Sequence, residues 1–128
     1  CAPAYTLSWQ APYPAAIEDC YAALLWFKAN AWMLGFNPER IIVGGESAGG
    51  GLCAALCMLA RDRGEVDIKY QFPLYSMLDD RDTPSSRDNH AHVWNTRRNH
   101  AAWKLYLRDK YGTDSVPPYA APARQIIM

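Results

Sequence analysis

Ile41-Ile42-Val43-Gly44-Gly45-Glu46-Ser47-Ala48-Gly49-Gly50-Gly51 is the stretch whose reading decides the fold. Three β-branched residues run into a glycine cluster that holds one serine. A helical pattern follows at once, with Leu52, Ala55, Leu56 and Leu59 on one face. That order reads as a buried strand, a very tight turn and a helix. Inside the turn, Gly45-Glu46-Ser47-Ala48-Gly49 fits G-x-S-x-G, the nucleophile elbow.

The spacing follows from the chemistry such a turn serves. A serine oxygen attacks an acyl carbon only when it stands clear of the backbone, so the elbow forces the serine into strained φ/ψ. Small neighbours two residues before and after are then required, a demand that assigns Gly45 and Gly49 as elbow glycines. The helix starting at Ala48 aims unpaired N–H groups and its positive end at the site. Ser47 is therefore the expected nucleophile, and the Ala48 N–H an expected oxyanion donor. A glycine-rich turn of this kind also cradles phosphate in other proteins. Here G-x-x-x-x-G-K-[ST] fails because Leu52 and Cys53 follow the glycines, and G-x-G-x-x-G fails at Ala48.

Outward from the elbow, the chain reads as α/β. Residues 4–7 are expected to be extended, and Pro12 and Pro14 punctuate the irregular segment after them. Pro14 suits the first turn of a helix whose positive end favours Glu18 and Asp19. Ile17, Cys20, Tyr21, Leu24 and Leu25 keep helical spacing, and Gly35 caps that helix. The helix after the elbow runs to about Arg63, where Gly64 stops it. A short strand is expected at 70–75, weakened by Pro73. Strand, helix, strand, helix, strand implies parallel βαβ units with right-handed crossovers, the two helices on opposite faces as in a doubly wound sheet. Residues 79–89 read as polar loop, and 99–110 as a helix through Trp103, Tyr106 and Leu107, closed by Gly112.

Composition sets bounds on function. The 128 residues are one domain's worth of chain, able to bury about two thirds of the unfolded surface. Thirteen basic residues balance thirteen acidic ones, so nothing points to nucleic acid or an anionic membrane as partner. No apolar run approaches the roughly 18 residues of a membrane span. No leader segment is visible, although the chain begins at Cys1 rather than Met, which fits a beginning further upstream. The four cysteines form no C-x-x-C; Cys53 and Cys57 lie one helical turn apart, poor geometry for a disulfide. They read as small apolar packing residues, with the cytoplasm as default location. No Cys/His spacing supports zinc, and His90-x-His92 beside Asp88 is a weak metal pair.

Several segments resemble the hormone-sensitive-lipase-like branch of the α/β-hydrolases, the fold-3 carboxylesterases. Ala11-Pro12-Tyr13-Pro14-Ala15-Ala16-Ile17-Glu18-Asp19 is similar to the family's segment before its second helix. Asn37-Pro38-Glu39-Arg40-Ile41 and Gly44-Gly45-Glu46-Ser47-Ala48-Gly49-Gly50 resemble the approach to the nucleophile. Leu74-Tyr75, Met77-Leu78-Asp79-Asp80 and Pro118-Tyr119-Ala120-Ala121-Pro122 resemble later landmarks. Two local departures stand out. Tyr5-Thr6-Leu7-Ser8-Trp9-Gln10 occupies the place of the family's Y-R-L-A-P-E, and Ser76 replaces a proline common after the strand tyrosine. The family's H-G-G-G oxyanion loop lies upstream of anything in this chain. Its catalytic Asp, in D-P-L-x-D, and its His, near H-G-F, lie downstream.

The resemblance thus implies residues 1–128 to be the central part of a single α/β-hydrolase domain, an αβα sandwich of parallel strands and flanking helices. It implies an acyl-enzyme on Ser47, a small-molecule ester as substrate, and no cofactor or metal. Asp79 or Asp80 as acid, and His90, His92 or His100 as base, are weaker candidates than salt-bridged or solvated side chains. Trp94, Trp103 and Tyr106 read as packing or rim residues, and Arg97 and Arg98 as solvated charge. Rivals are a thioesterase, amidase or peptidase on the same elbow, a non-catalytic relative of the gibberellin-receptor kind, or an inactive fragment lacking the triad His and Asp. A three-strand piece would leave apolar strand edges unpaired, so association with a second copy or a companion chain is expected.

Overall fold

A computed structural model describes residues 1–126; Ile127 and Met128 lie outside it. Its frame is a two-stranded parallel sheet with helices beside it. The elements in chain order are α1 (Ala15–Ala29), α2 (Ala31–Leu34), β1 (Ile41–Glu46), α3 (Ala48–Arg63), β2 (Ile68–Leu74) and α4 (Thr96–Leu107). β1 and β2 run in parallel register from Ile41 opposite Ile68 to Glu46 opposite Leu74, with one irregularity between Ile41 and Ile42. The connection between them is α3, the βαβ unit that the glycine-punctuated pattern implies.

The first helix breaks once. At Asn30 the side-chain amide donates to the Trp26 carbonyl at 2.8 Å and competes with the helical ladder, so the last turn is set off as α2. Gly35 and Gly64 then end α2 and α3 in the left-handed conformation, with φ of 73° and 68°, where a side chain would be strained. β2 carries Pro73 opposite Gly45. The missing N–H of Pro73 is tolerated because, among the described residues, β2 has no second neighbour to receive it.

Three expectations change. Residues 4–7 form no strand: Thr6 donates its N–H to Asp19 Oδ2 at 2.8 Å, and Leu7 donates to Gln10 Oε1 at 3.1 Å. With their amides engaged by side chains and no strand alongside, the described sheet has two strands rather than three. Second, α1 and α3 share one face. Ile17, Cys20, Tyr21 and Leu24 of α1 pack with Ala55, Leu56 and Leu59 of α3 over Ile41 and Val43, the inward side of β1. Ile42, Tyr70 and Phe72, on the other side, are more than half exposed. Of the three layers of an αβα sandwich, this stretch supplies the sheet and one helical layer. Third, the last helix starts three residues early, at Thr96, because the Asn95 side chain accepts from the Arg98 N–H at 3.1 Å.

A second apolar cluster sits beside the first. Trp103 and Leu107 of α4 pack with Val116, Ala120 and Ala121, and Tyr13 stands edge-on to Tyr106 at 5.9 Å. The elbow lies between the two clusters.

Candidate active site

Ser47 is the hinge between β1 and α3, and its backbone is strained. It has φ 52° and ψ −116°, a positive φ without the licence of glycine. The strain is held by three backbone hydrogen bonds. Ser47 N–H donates to Leu74 O at 3.0 Å, and Ser47 O accepts from Gly51 at 3.1 Å and from Met77 at 3.1 Å. The turn is thereby tied to the end of β2 as well as to its own helix. Tyr75, just past β2, carries a second positive φ of 34° on the opposite bank.

The glycines divide their work differently from the expectation. A Cβ on Gly45 would lie 2.2 Å from the Gly49 carbonyl oxygen, so the position two before Ser47 must be glycine. On Gly49 a Cβ would meet nothing within 4 Å among the described residues, so the expected steric demand there is not observed. The close approach falls instead on Gly50 and Gly51. A Cβ on Gly50 would come within 2.3 Å of Ser76 Oγ, and one on Gly51 within 2.3 Å of the Met77 carbonyl. These two glycines let the segment after β2 lie directly on the first turn of α3. The polypeptide needs that contact because both banks of the site are formed there.

Ser47 opens into a cleft of about 630 Å3 whose walls include Tyr75, Met77, Asp79, Val93, Trp94 and Trp103. The Ala48 and Gly49 amides, at the first helical positions, have no carbonyl within the helix to donate to. They lie at the positive end of a sixteen-residue helix with no acidic residue in its first turn and Arg61 and Arg63 in its last. The arrangement presents a hydroxyl at an exposed strand-to-helix turn with oriented N–H donors next to it. That is the constellation an acyl transfer requires on the nucleophile side.

The other candidates are engaged elsewhere. Asp79 lines the cleft but is gripped by Arg81, Nε to Oδ1 at 2.8 Å and Nη2 to Oδ2 at 3.0 Å, and the guanidinium holds its carboxyl below the usual carboxylate range. Asp80 is buried and forks with Arg124 at 2.6 and 2.8 Å. His90 pairs with Asp88 at 2.8 Å on an exposed loop, and His100 pairs with Asp82 at 2.7 Å. The His92 carbonyl accepts from Arg98 at 2.8 Å, so Arg98 ties a loop rather than standing free in solvent. Among the described residues none of the three histidines lines the Ser47 cleft, and no three His, Cys, Asp or Glu side chains converge as a metal cage. Tyr106 packs in the core, Trp94 is a cleft wall, and Trp103 is both.

Tyr75 and Ser76 escaped the sequence reading as site residues. Tyr75 is largely exposed at the cleft mouth, and the nearby Glu46 carboxylate raises its phenol above the ordinary value. Ser76 Oγ is buried against Gly50 with no hydrogen-bond partner among the described residues. The signal for Ser76 was its departure from the proline common at that position. The thiols behave as packing groups: burial pushes Cys20 up to about 11 and Cys57 up to about 12. No helix among the described residues is long and apolar enough to cross a membrane.

The same fold recurs in known proteins. A family model for the α/β hydrolase fold matches residues 1–127, and the chain belongs to that family. It is 43% identical over 86 residues to the carboxylesterase NlhH of Mycobacterium tuberculosis, a match covering 66% of this chain and 27% of that protein. Hormone-sensitive lipase of Ictidomys tridecemlineatus is 40% identical over 60 residues, 47% of this chain and 8% of the lipase. A solved bacterial heroin esterase superposes with a TM-score of 0.91 at 41% identity, covering 95% of this chain and 40% of the esterase. The chain therefore spans about a quarter of the length of the curated carboxylesterase it matches.

Proposed function

We propose that this chain carries the nucleophile of a serine carboxylesterase, as the central part of one α/β-hydrolase domain. The observation that carries the reading is the strained Ser47, facing an open cleft with unpaired helix-terminal amides at its side. Ser47 Oγ attacks the carbonyl carbon of a small-molecule ester. The carbonyl oxygen becomes an oxyanion held by the Ala48 N–H, and the bond to the alcohol oxygen breaks. The Ser47 proton leaves on the alcohol. Water then attacks the acyl-serine, releases the acid and restores the hydroxyl.

Proton transfer needs a base and an acid to orient it, and no histidine lines the cleft among the described residues. We assign that His–Asp pair to chain beyond this stretch, where the resemblance puts both. The exposed sheet face at Ile42, Tyr70 and Phe72 supports further hydrolase chain, a second copy or a companion covering it. The chemistry calls for no metal or cofactor, and four free cysteines, none in C-x-x-C, suit a reducing, cytoplasmic setting.

The test is an intact mass after exposure to a fluorophosphonate, with Ser47→Ala in parallel. One adduct on the parent and none on the variant is expected. Absence of an adduct on the full-length protein overturns the esterase reading in favour of a binding role or an inactive fragment.

A further inference from the structure

α1 is apolar on two sides. Ile17, Cys20, Tyr21 and Leu24 make its inward side, buried with α3 and Ile41. On the outward side, Ala22, Trp26, Ala29 and Met33 are all exposed and follow one another at 4-3-4 spacing, the seam by which one helix packs on another. The backbone carries that spacing across the junction into α2: Asn30 N–H donates to Trp26 O, and Leu34 N–H to Asn30 O, both at 3.0 Å. Trp32, beside the seam, is 95% exposed, while Trp26 and Met33 are 52% and 67% exposed. A helix with a second apolar side is built to bury that side as well.

The seam is complementary to itself. Its side chains alternate small and large, Ala22, Trp26, Ala29, Met33. When two copies lie antiparallel about a point between Phe27 and Lys28, Trp26 of one faces Ala29 of the other, and Met33 faces Ala22. The two-fold axis repeats both pairs in the opposite sense, as an isologous contact requires. Each large side chain then meets the gap over an alanine, and no two large ones collide within the seam. The size is adequate too. With about 250 Å2 for a fully exposed tryptophan, the uncovered parts of Trp26, Trp32, Met33 and Leu34 come to roughly 500–600 Å2 per copy. Two copies bury roughly 1,000–1,200 Å2, where specific interfaces begin. A lipid surface suits the patch less well, because such anchors set basic residues beside the apolar ones. Lys28 is the one basic residue in α1 and α2, and its ammonium already donates to the Glu65 carbonyl at 2.8 Å.

We infer that the outward side of α1 and α2 is a dimer interface, at which a second copy of this chain packs antiparallel through Ala22, Trp26, Ala29 and Met33. Trp26 lies nearest the two-fold axis and is the residue whose burial contributes most. The contact uses the side of α1 turned away from α3, so the Ser47 cleft stays open and the exposed face of the sheet is left for other chain. The inference goes beyond the esterase reading and does not depend on what Ser47 does.

The experiment is sedimentation equilibrium of the full-length protein across roughly 1–100 μM, with circular dichroism reporting that each variant is folded. The parent should sediment at twice the chain mass. Met33→Glu should raise the dimer dissociation constant about a hundredfold, about tenfold for each copy of the change. Ala29→Arg, which fills the gap beneath Trp26, should act in the same direction and decides the matter if Met33→Glu does not fold. Adding Ala22→Lys to Met33→Glu should restore the dimer, because the antiparallel register sets each new ammonium opposite the new carboxylate of the other copy. A monomeric parent overturns the inference. So does a dimer that Met33→Glu and Ala29→Arg leave intact, since it is then built on another surface. Dissociation by Met33→Glu without rescue by Ala22→Lys overturns the antiparallel pairing.

Discussion

The cluster under β1 and the cluster around Trp103 flank the same serine but are fixed by different forces. Under β1, the contacts join regular elements: Ile17 and Leu24 of α1 against Leu56 and Leu59 of α3, over Ile41. Around Trp103, one helix is pinned to irregular chain, and charge pairs do much of the joining. Arg124 forks onto buried Asp80 and donates to the Thr113 carbonyl at 3.0 Å, while Ala123 N–H reaches Leu78 O at 3.0 Å. The first arrangement fixes where Ser47 stands. The second shapes one wall of its cleft, through Trp103 and Met77.

Removing the charge pair should have the largest effect. Asp80→Ala leaves Arg124, whose side chain is 12% exposed, without its counter-ion, at a cost of about 3–5 kcal/mol. Hydrogen exchange should show the lost protection concentrated at Trp103, Leu107 and Ala121, with β1 and α3 retained. Leu56→Ala should cost about 2–5 kcal/mol and reverse that pattern, loosening β1 and α1 first. If both variants lose protection evenly over all described elements, the two clusters form one cooperative unit and the contrast fails.

Acid should separate the clusters more gently. Arg81 depresses the Asp79 carboxyl, so the folded value lies below the unfolded one, which is about 3.9. The stabilisation is therefore complete above that unfolded value and disappears as pH falls through the lowered folded value. With Arg81 more than half exposed, the contribution is at most about 1 kcal/mol. The urea midpoints of the parent and Arg81→Ala should differ at pH 6 and converge only as pH falls through the lowered folded value. A difference that does not change with pH down to about pH 2 would assign the effect to packing rather than charge.

The contrast also explains which elements were legible in the residues alone. β1, the elbow and α3 follow from local rules, β-branching, a glycine turn and 3.6-residue spacing, and each appears where those rules place it. Residues 4–7 did not become a strand because a strand is a property of a pair, and no neighbour lies beside them among the described residues. Thr96 as the start of α4 was missed because a short polar run outweighed the Asn95 cap. Gly49 was given a steric role that Gly50 and Gly51 hold, since the obstructing atoms belong to Ser76 and Met77, more than twenty residues away.

By itself, then, the sequence determined the strand-turn-helix unit and the residue at its apex, because hydrogen bonding and burial there are settled within a few turns of chain. Only the tertiary structure decided that α1 and α3 share one face, that Asp79 is held by Arg81 and Asp80 by Arg124, and that Trp103 joins the second cluster at the wall of the Ser47 cleft. Apart from the Asp79–Arg81 pair, those outcomes depend on side chains meeting across dozens of residues. Long-range packing selects such partners, and local periodicity carries no record of them.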